Sequence, residues 1–290
     1  MPERPHTSKP ERLRRLLEGA DPVRAVGAHN GLTARLAERA GFEAVWSSSF
    51  ELSASQGLPD ASLLGLAEFV DAAEAMDAAA DLPVIADCDT GFGGPLNVAH
   101  ALRRFERRGA AAICIEDKVF PKMNSFARTA HDLVPTEEFA LKLKSGLQAR
   151  TDPDFLLIAR TEALIAGQGV PEALERARAY AAAGADAVLV HSKSTRPDDI
   201  LEFGARWDGG VPLVAVPTTY GQVHERELFD AGYRIVIYAN HGLRAAVSGV
   251  TSTLAALAAS GRARDVEDGI ATMPELFELQ RMPADFKAAP

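Results

Sequence analysis

Apolar and polar positions alternate along this chain in two different periods. Short apolar runs at 23–28, 44–47, 83–87, 111–115, 155–159, 187–190, 213–216 and 234–238 read as buried strands, each breaking into a polar tip. Longer stretches with helical spacing lie between them, at 64–80, 95–108, 136–149, 171–183, 197–206, 224–231 and 243–259. Several carry start signals, either an early Pro or Thr136 leading Glu137 and Glu138. Gly109, Gly184 and Gly232 each fall between a helix and the next strand, where a left-handed C-cap residue is expected. Ahead of the first strand, 11–18 predicts a short helix with Leu13, Leu16 and Leu17 on one face. Strict alternation of eight strands with helices predicts an α/β fold, a (β/α)8 TIM-type barrel; an open doubly wound sheet is the alternative.

The length of 290 residues suits one such barrel, which typically takes about 250. The expected organisation is a single domain over 1–290, with 1–20 as an N-terminal extension and 283–290 as a loose tail. A hydrophobic content of 47% in a chain this long supports a core that needs no disulfide or metal. The net charge of −9 argues against a nucleic-acid or anionic-membrane surface, while leaving room for a local cationic cluster that binds an acidic substrate. The two cysteines, Cys88 and Cys114, sit inside apolar runs and read as reduced core residues. The first ten residues have no apolar signal core, and no apolar run is expected to approach the roughly 20 residues of a membrane span. The expected location is therefore the cytoplasm, with no membrane partner.

In a barrel, chemistry gathers where strands end and loops begin. Asp87 and Asp89 follow the third strand, and period-2 geometry would aim both carboxylates one way with Cys88 opposite. Like charges that close call for a cation between them; a cap on the turn at Thr90-Gly91 is the plainer use. Glu116, ending the fourth strand, adds a third carboxylate and favours a hard cation such as Mg²⁺, which keeps several waters and needs few direct protein ligands. Asp87 is the direct ligand in this reading. Trp46-Ser47-Ser48-Ser49-Phe50 places small residues where backbone N–H groups and hydroxyls can meet an anion, although Ser-rich turns are common and Trp46 reads equally as core. Arg160 ends the fifth strand with a planar fork suited to a carboxylate or phosphate, or paired structurally with Glu162. His191 ends the sixth strand, and Asn240 to Arg244 follows the eighth as a rim segment.

The stretch 115–125, Ile-Glu-Asp-Lys-Val-Phe-Pro-Lys-Met-Asn-Ser, turns from apolar strand to polar loop. Lys122, Asn124 and Ser125 put a cation, an amide and a hydroxyl within four positions, enough to grip a small oxyanion. In residue type and order this stretch resembles the gating loop of the phosphoenolpyruvate mutase family, in the isocitrate lyase superfamily. Trp46, Ser48, Asp60, Arg160 and His191 match the family pattern too, whereas Ser49 and Phe50 stand where Gly-Leu is usual.

The resemblance implies an isomerase that interconverts phosphoenolpyruvate and 3-phosphonopyruvate by dissociative, Mg²⁺-assisted phosphoryl transfer, in phosphonate biosynthesis. It implies that Asp60, Lys122, Asn124, Ser125, Arg160 and His191 act on the substrate, which Trp46, Ser48, Ser49 and Phe50 help to bind. Asp87, Asp89 and Glu116, with Asp60, would form the metal shell, directly or through water. Phosphonopyruvate hydrolase shares the Glu-Asp-Lys and Phe-Pro-Lys segments but typically carries Thr in place of the loop Asn, so Asn124 favours the mutase. The superfamily's C–C lyases carry a loop Cys that this chain lacks, and a non-catalytic binding protein would have lost a metal or loop residue. Family members are usually homotetramers, dimers of dimers that exchange the last barrel helix; residues after Leu254 are apolar enough for that exchange.

Overall fold

In a computed structural model of the chain, which describes residues 7–127 and 131–282, the eight strands close into one parallel barrel in sequential order. They are β1 (Val23–Ala28), β2 (Ala44–Ser47), β3 (Val84–Asp87), β4 (Ala112–Glu116), β5 (Leu156–Thr161), β6 (Ala187–Val190), β7 (Leu213–Ala215) and β8 (Tyr233–Tyr238). Closure is made by β8 on β1, with Val23 opposite Ile235 and Ala25 opposite Ile237, which excludes the open sheet. The strand ends fall within two residues of those expected from the apolar runs.

Alternation along the strands sorts the side chains into an inner and an outer set. Ala44, Trp46, Ile85, Ala112, Cys114, Leu156, Ile158, Ala187 and Leu189 pack together inside the barrel. Their neighbours Val45, Ala86, Ile113, Leu157 and Ala159 face outward against helices. Following the inner period upward, the next positions are Asp87, Glu116, Arg160 and His191. The strand period itself therefore carries the charged residues to one mouth of the barrel.

The helices that cover the outer face follow their caps. After α1 (Lys9–Leu17), α2 (Gly31–Arg39) starts at Asn30, whose side chain accepts from Thr33 N–H; α3 is Ser49–Ser55 and α4 is Leu66–Ala79. The helix α2 is the one that strict alternation calls for between β1 and β2, although no range was predicted for it, and α3 lies in a stretch where no helix was expected. Next come α5 (Pro95–Arg107), α6 (Thr136–Ala149), α7 (Gly169–Ala182), α8 (Asp198–Arg206) and α9 (Glu225–Asp230). Gly109, Gly184 and Gly232 have φ of +87°, +103° and +98°, the left-handed C-cap expected of them. At Gly109 a Cβ would also fall 2.3 Å from Asp77 Oδ2. The expected extension is partly built into the barrel: Leu13 of α1 is fully buried in the inner cluster, and Arg14 reaches Asp186 at 2.7 Å. Residues 1–6 and the expected tail at 283–290 lie outside the described residues.

By compactness the chain divides into two units, 1–240 and 241–290. The second contains α10 (His241–Ser260), α11 (Arg264–Glu267) and α12 (Met273–Leu279), the last capped reciprocally by Thr272 and Glu275. None of the residues of α10 is buried. The helix α10 has 20 residues, and an 18-residue stretch of it has a mean hydropathy of 1.2, long and apolar enough to cross a membrane by length and composition only. Alanine supplies much of that hydropathy, and Arg244, Ser248, Thr251, Ser252 and Thr253 interrupt it, a composition equally suited to packing against protein.

Candidate active site

At the strand C-termini a cavity of about 90 Å³ opens, far below the roughly 300–1,000 Å³ of sites for drug-sized ligands. It admits only a small substrate. Trp46, Ser48, Ser49, Phe50, Asp60 and Asp87 line one part, and Lys122, Asn124, Ser125, Arg160 and His191 line another. Eleven of the thirteen expected site residues thus share one cavity wall, and the other two, Asp89 and Glu116, are buried behind it in ion pairs with Lys122 and Arg160. Trp46 is both core and lining, buried in the inner cluster with one face on the cavity.

The turn after β2 is organised as a helix start. Ser48 caps α3, its Oγ accepting from Glu51 N–H at 3.3 Å, and Ser49 Oγ donates to Asp87 Oδ2 at 2.7 Å. The Ser run is therefore neither a loose turn nor a surface feature: both hydroxyls are buried and committed. The next two N–H groups, of Ser49 and Phe50, belong to the first turn of α3, which has no helical acceptors for them.

Asp89 reaches the site differently from the strand-period expectation. The strand ends at Asp87, and Asp89 takes a left-handed backbone with φ +50°. Its carbonyl accepts from Glu116 N–H at 2.7 Å, while its carboxylate Oδ1 lies 2.9 Å from Lys122 Nζ. Lys122 Nζ also sits 2.9 Å from Asp60 Oδ1 and 3.2 Å from Ser49 Oγ. Asp60 in turn accepts from Asn124 Nδ2 at 2.7 Å, and its carbonyl accepts from Asn124 N–H at 3.1 Å. Asp60 thereby anchors two of the three loop residues, Lys122 and Asn124, that the sequence reading aimed at an oxyanion.

A second cluster surrounds Glu162, which is fully buried. Arg160 Nε donates to Glu162 Oε1 and lies 3.1 Å from Glu116 Oε2. His191 Nδ1 lies 2.8 Å from both Glu162 Oε1 and an Arg160 Nη. The Arg160–Glu162 pair is present, so the structural and the substrate-facing uses of Arg160 coexist. Phe126 stands edge-on to His191, with ring centroids 6.1 Å apart.

Electrostatics divide the acids into two kinds. Burial lifts the Asp89 carboxyl to about 6 and the Glu116 carboxyl to about 7, against the opposing pull of Lys122 and Arg160 respectively. Burial acts on Glu162 in the same sense, but Arg160, His191 and Lys118 outweigh it and hold that carboxyl well below its usual range. Burial lowers His191, favouring a neutral imidazole. Lys122 is pulled down by burial and raised further by Asp89, Glu116, Asp60 and Asp87, so it stays charged.

Glu116 Oε1 is buried without a hydrogen-bond donor, Asp89 Oδ1 faces only the Lys122 ammonium, and with Asp87 these carboxylates offer the hard oxygen ligands that Mg²⁺ prefers. The donor set fits such an ion. Among the described residues no three His, Cys, Asp or Glu side chains form a ready cage.

Sequence reasoning gave Lys118 no role and Glu162 only that of a structural partner to Arg160, and it did not single out Phe126, Val216, Thr218 or Ala239, which line the cavity. The strand-tip rule finds Val216 and Thr218 at the end of β7 once it is applied there.

A family model described as phosphoenolpyruvate phosphomutase matches residues 13–258. Phosphonopyruvate hydrolase of Variovorax sp. (strain Pal2) is 44% identical over 275 residues, 94% of this chain and 95% of that protein. The crystal structure of phosphoenolpyruvate phosphomutase from Streptomyces platensis subsp. rosaceus superposes with a TM-score of 0.93 at 50% identity, covering 94% of this chain and 95% of that one. A phosphonopyruvate hydrolase structure in complex with oxalate and Mg²⁺ gives a TM-score of 0.89 at 44% identity, again over 94% and 95%.

Proposed function

This chain belongs to the phosphoenolpyruvate phosphomutase family of the PEP mutase/isocitrate lyase superfamily, and from that premise we propose that it interconverts phosphoenolpyruvate and 3-phosphonopyruvate. The observation that carries this reading is Asn124, held with Lys122 on Asp60 at the lip of the cavity. Starting from phosphonopyruvate, the C3–P bond breaks and its electron pair goes into the pyruvate enolate. The same phosphoryl group is then captured by the enolate oxygen, with no net proton change. Such a transfer demands positioning and charge stabilisation more than covalent help from protein groups. Lys122 and Asn124 supply donors from the loop, Arg160 and His191 from the wall, and the Ser48–Phe50 turn holds the carboxylate. Bound Mg²⁺, on Asp87 with Asp89, Glu116 and Asp60 around it, would stabilise the enolate charge. The loop's part is to keep water from the phosphoryl group.

The alternative activity is phosphonopyruvate hydrolysis to pyruvate and phosphate, favoured by the 44% identical hydrolase. Phosphorus NMR of the protein with phosphonopyruvate and Mg²⁺ separates the two. The expected product is phosphoenolpyruvate, lost with EDTA; Asn124→Ala should cut turnover by about 10²-fold, as loss of one oriented donor does. Phosphate and pyruvate without phosphoenolpyruvate would make the enzyme a hydrolase. We also propose a cytoplasmic homotetramer serving phosphonate biosynthesis; the two free, buried cysteines suit a reducing compartment.

A further inference from the structure

We propose that Lys118 and Glu162 determine the fate of the phosphoryl group by tying the Ser125 end of the loop to the barrel wall; this rests on the mutase reading above. Neither residue needs to touch substrate to do so. Lys118 follows β4, and its ammonium has three acceptors: Met123 carbonyl at 3.1 Å, Ser125 Oγ at 2.6 Å and Glu162 Oε2 at 3.0 Å. An ammonium has three N–H donors, so this set leaves none for a ligand. Glu116 lies further off, at 3.9 Å.

Ser125 Oγ accepts from Lys118 and donates to Glu162 Oε2 at 2.7 Å. Its hydroxyl proton is thus spent on the tie, which moves Ser125 from substrate contact toward loop anchoring. Glu162 divides its two oxygens between two tasks. Oε2 takes Lys118 and Ser125 from the loop side, and on the cavity side Oε1 accepts from Arg160 Nε and lies 2.8 Å from His191 Nδ1. The loop's position and the aim of the two cavity donors are therefore fixed by one carboxylate. All three members of the tie are almost wholly buried, where such bonds are strong and a missing partner is costly.

The loop thus has two attachments of different character. Lys122 and Asn124 grip Asp60 inside the cavity wall, among the groups proposed to act on substrate. Lys118 and Ser125 are fastened to Glu162, with no group spared for the substrate. The base of the loop is pinned in turn, by Val119 N–H on the Asp132 carbonyl at 3.0 Å and Val134 N–H on the Asp117 carbonyl at 2.9 Å. With base and Ser125 both held, the span carrying Lys122 and Asn124 has little slack. Slack there would admit water to a phosphoryl group between its two acceptors, giving phosphate and pyruvate instead of phosphoenolpyruvate.

The test follows phosphonopyruvate turnover by phosphorus NMR with Mg²⁺, alongside amide hydrogen exchange across 119–127, for wild type, Lys118→Met, Lys118→Arg and Ser125→Ala. Lys118→Met should raise the ratio of phosphate to phosphoenolpyruvate by about tenfold, equivalent to about 1.4 kcal/mol from a charged hydrogen bond. Loop exchange should quicken with it, and Lys118→Arg should restore part of both. Ser125→Ala leaves the Lys118–Glu162 pair in place and should shift both readouts in the same direction by less. Slower formation of both products at an unchanged ratio, with unchanged loop exchange, overturns the proposal. Should Lys118→Met fail to fold, Ser125→Ala decides by the same two readouts. A wild type that makes phosphate but no phosphoenolpyruvate defeats the mutase reading instead, and loop exchange in the variants still decides whether the tie exists.

Discussion

Asp89 and Glu116 set the pH behaviour of the metal-free protein. Their carboxyls titrate at about 6 and about 7, raised chiefly by burial, so the folded chain holds these protons more tightly than the unfolded one. The stability they contribute is complete below an unfolded pKa of about 4 and is lost as pH rises through 6 and 7. Glu162 works in the opposite sense, its contribution being present above its unfolded pKa and lost only in acid, so it is constant over that window. Without Mg²⁺, these two acids should lower Tm between about pH 4 and 7, partly offset by His191, whose lowered value acts in the opposite sense below about 6.5, with Glu116→Gln flattening the decline. Added Mg²⁺ should raise Tm more at the upper end. Melts of both proteins across that range, with and without the ion, check this, and a Tm that climbs with pH in both would sink it. The sequence made these acids legible because strand period and strand tip coincide at Asp87 and Glu116. It could not reveal that Asp89 arrives through a left-handed backbone, nor that Lys118 and Glu162 meet, since the first depends on the turn after β3 and the second on the register of β4 against β5, where Glu116 stands opposite Arg160.

At the scale of elements, the strand ends were readable to within two residues, because a strand inside a barrel is apolar on both faces and stops where polarity begins. The helix α3 was not, because Ser48 to Ser55 carries the composition of a turn and becomes helical through its Ser48 cap and its burial of Leu52. The role of α1 was also hidden, since periodicity gives its face but not what the face meets. Leu13 packs with Val23, Ala25 and Ile235 in the inner cluster, away from the residues that line the cavity. Leu13→Ala should accordingly cost about 2–5 kcal/mol of stability, the range for truncating a buried Leu. Its kcat at a temperature where the variant remains folded should match the parent. Urea unfolding and steady-state assays on the same preparation test both halves, and a large kcat loss without loss of stability would refute the division of labour between the two barrel ends.

For the whole molecule, periodicity identified α10 as a helix without identifying its packing partner. Val247, Val250 and Leu254 recur at helical spacing and are all more than half exposed, as is Met273 beyond them. Apolar side chains in that array are unfavourable in water, and burying them in a second copy removes the penalty. The proposed tetramer requires such a contact. Static light scattering should then give four times the 30.9 kDa chain mass. Val250→Asp would place a charge in the middle of the stripe, where a buried carboxylate has no partner, and should shift the species toward smaller assemblies. Because the cavity is lined wholly by residues of the first unit, dissociation alone need not abolish binding at the site. Comparing the mass with Mg²⁺-dependent turnover in that variant separates assembly from chemistry, and a wild-type mass of 30.9 kDa would end the tetramer proposal while leaving the site's own predictions standing.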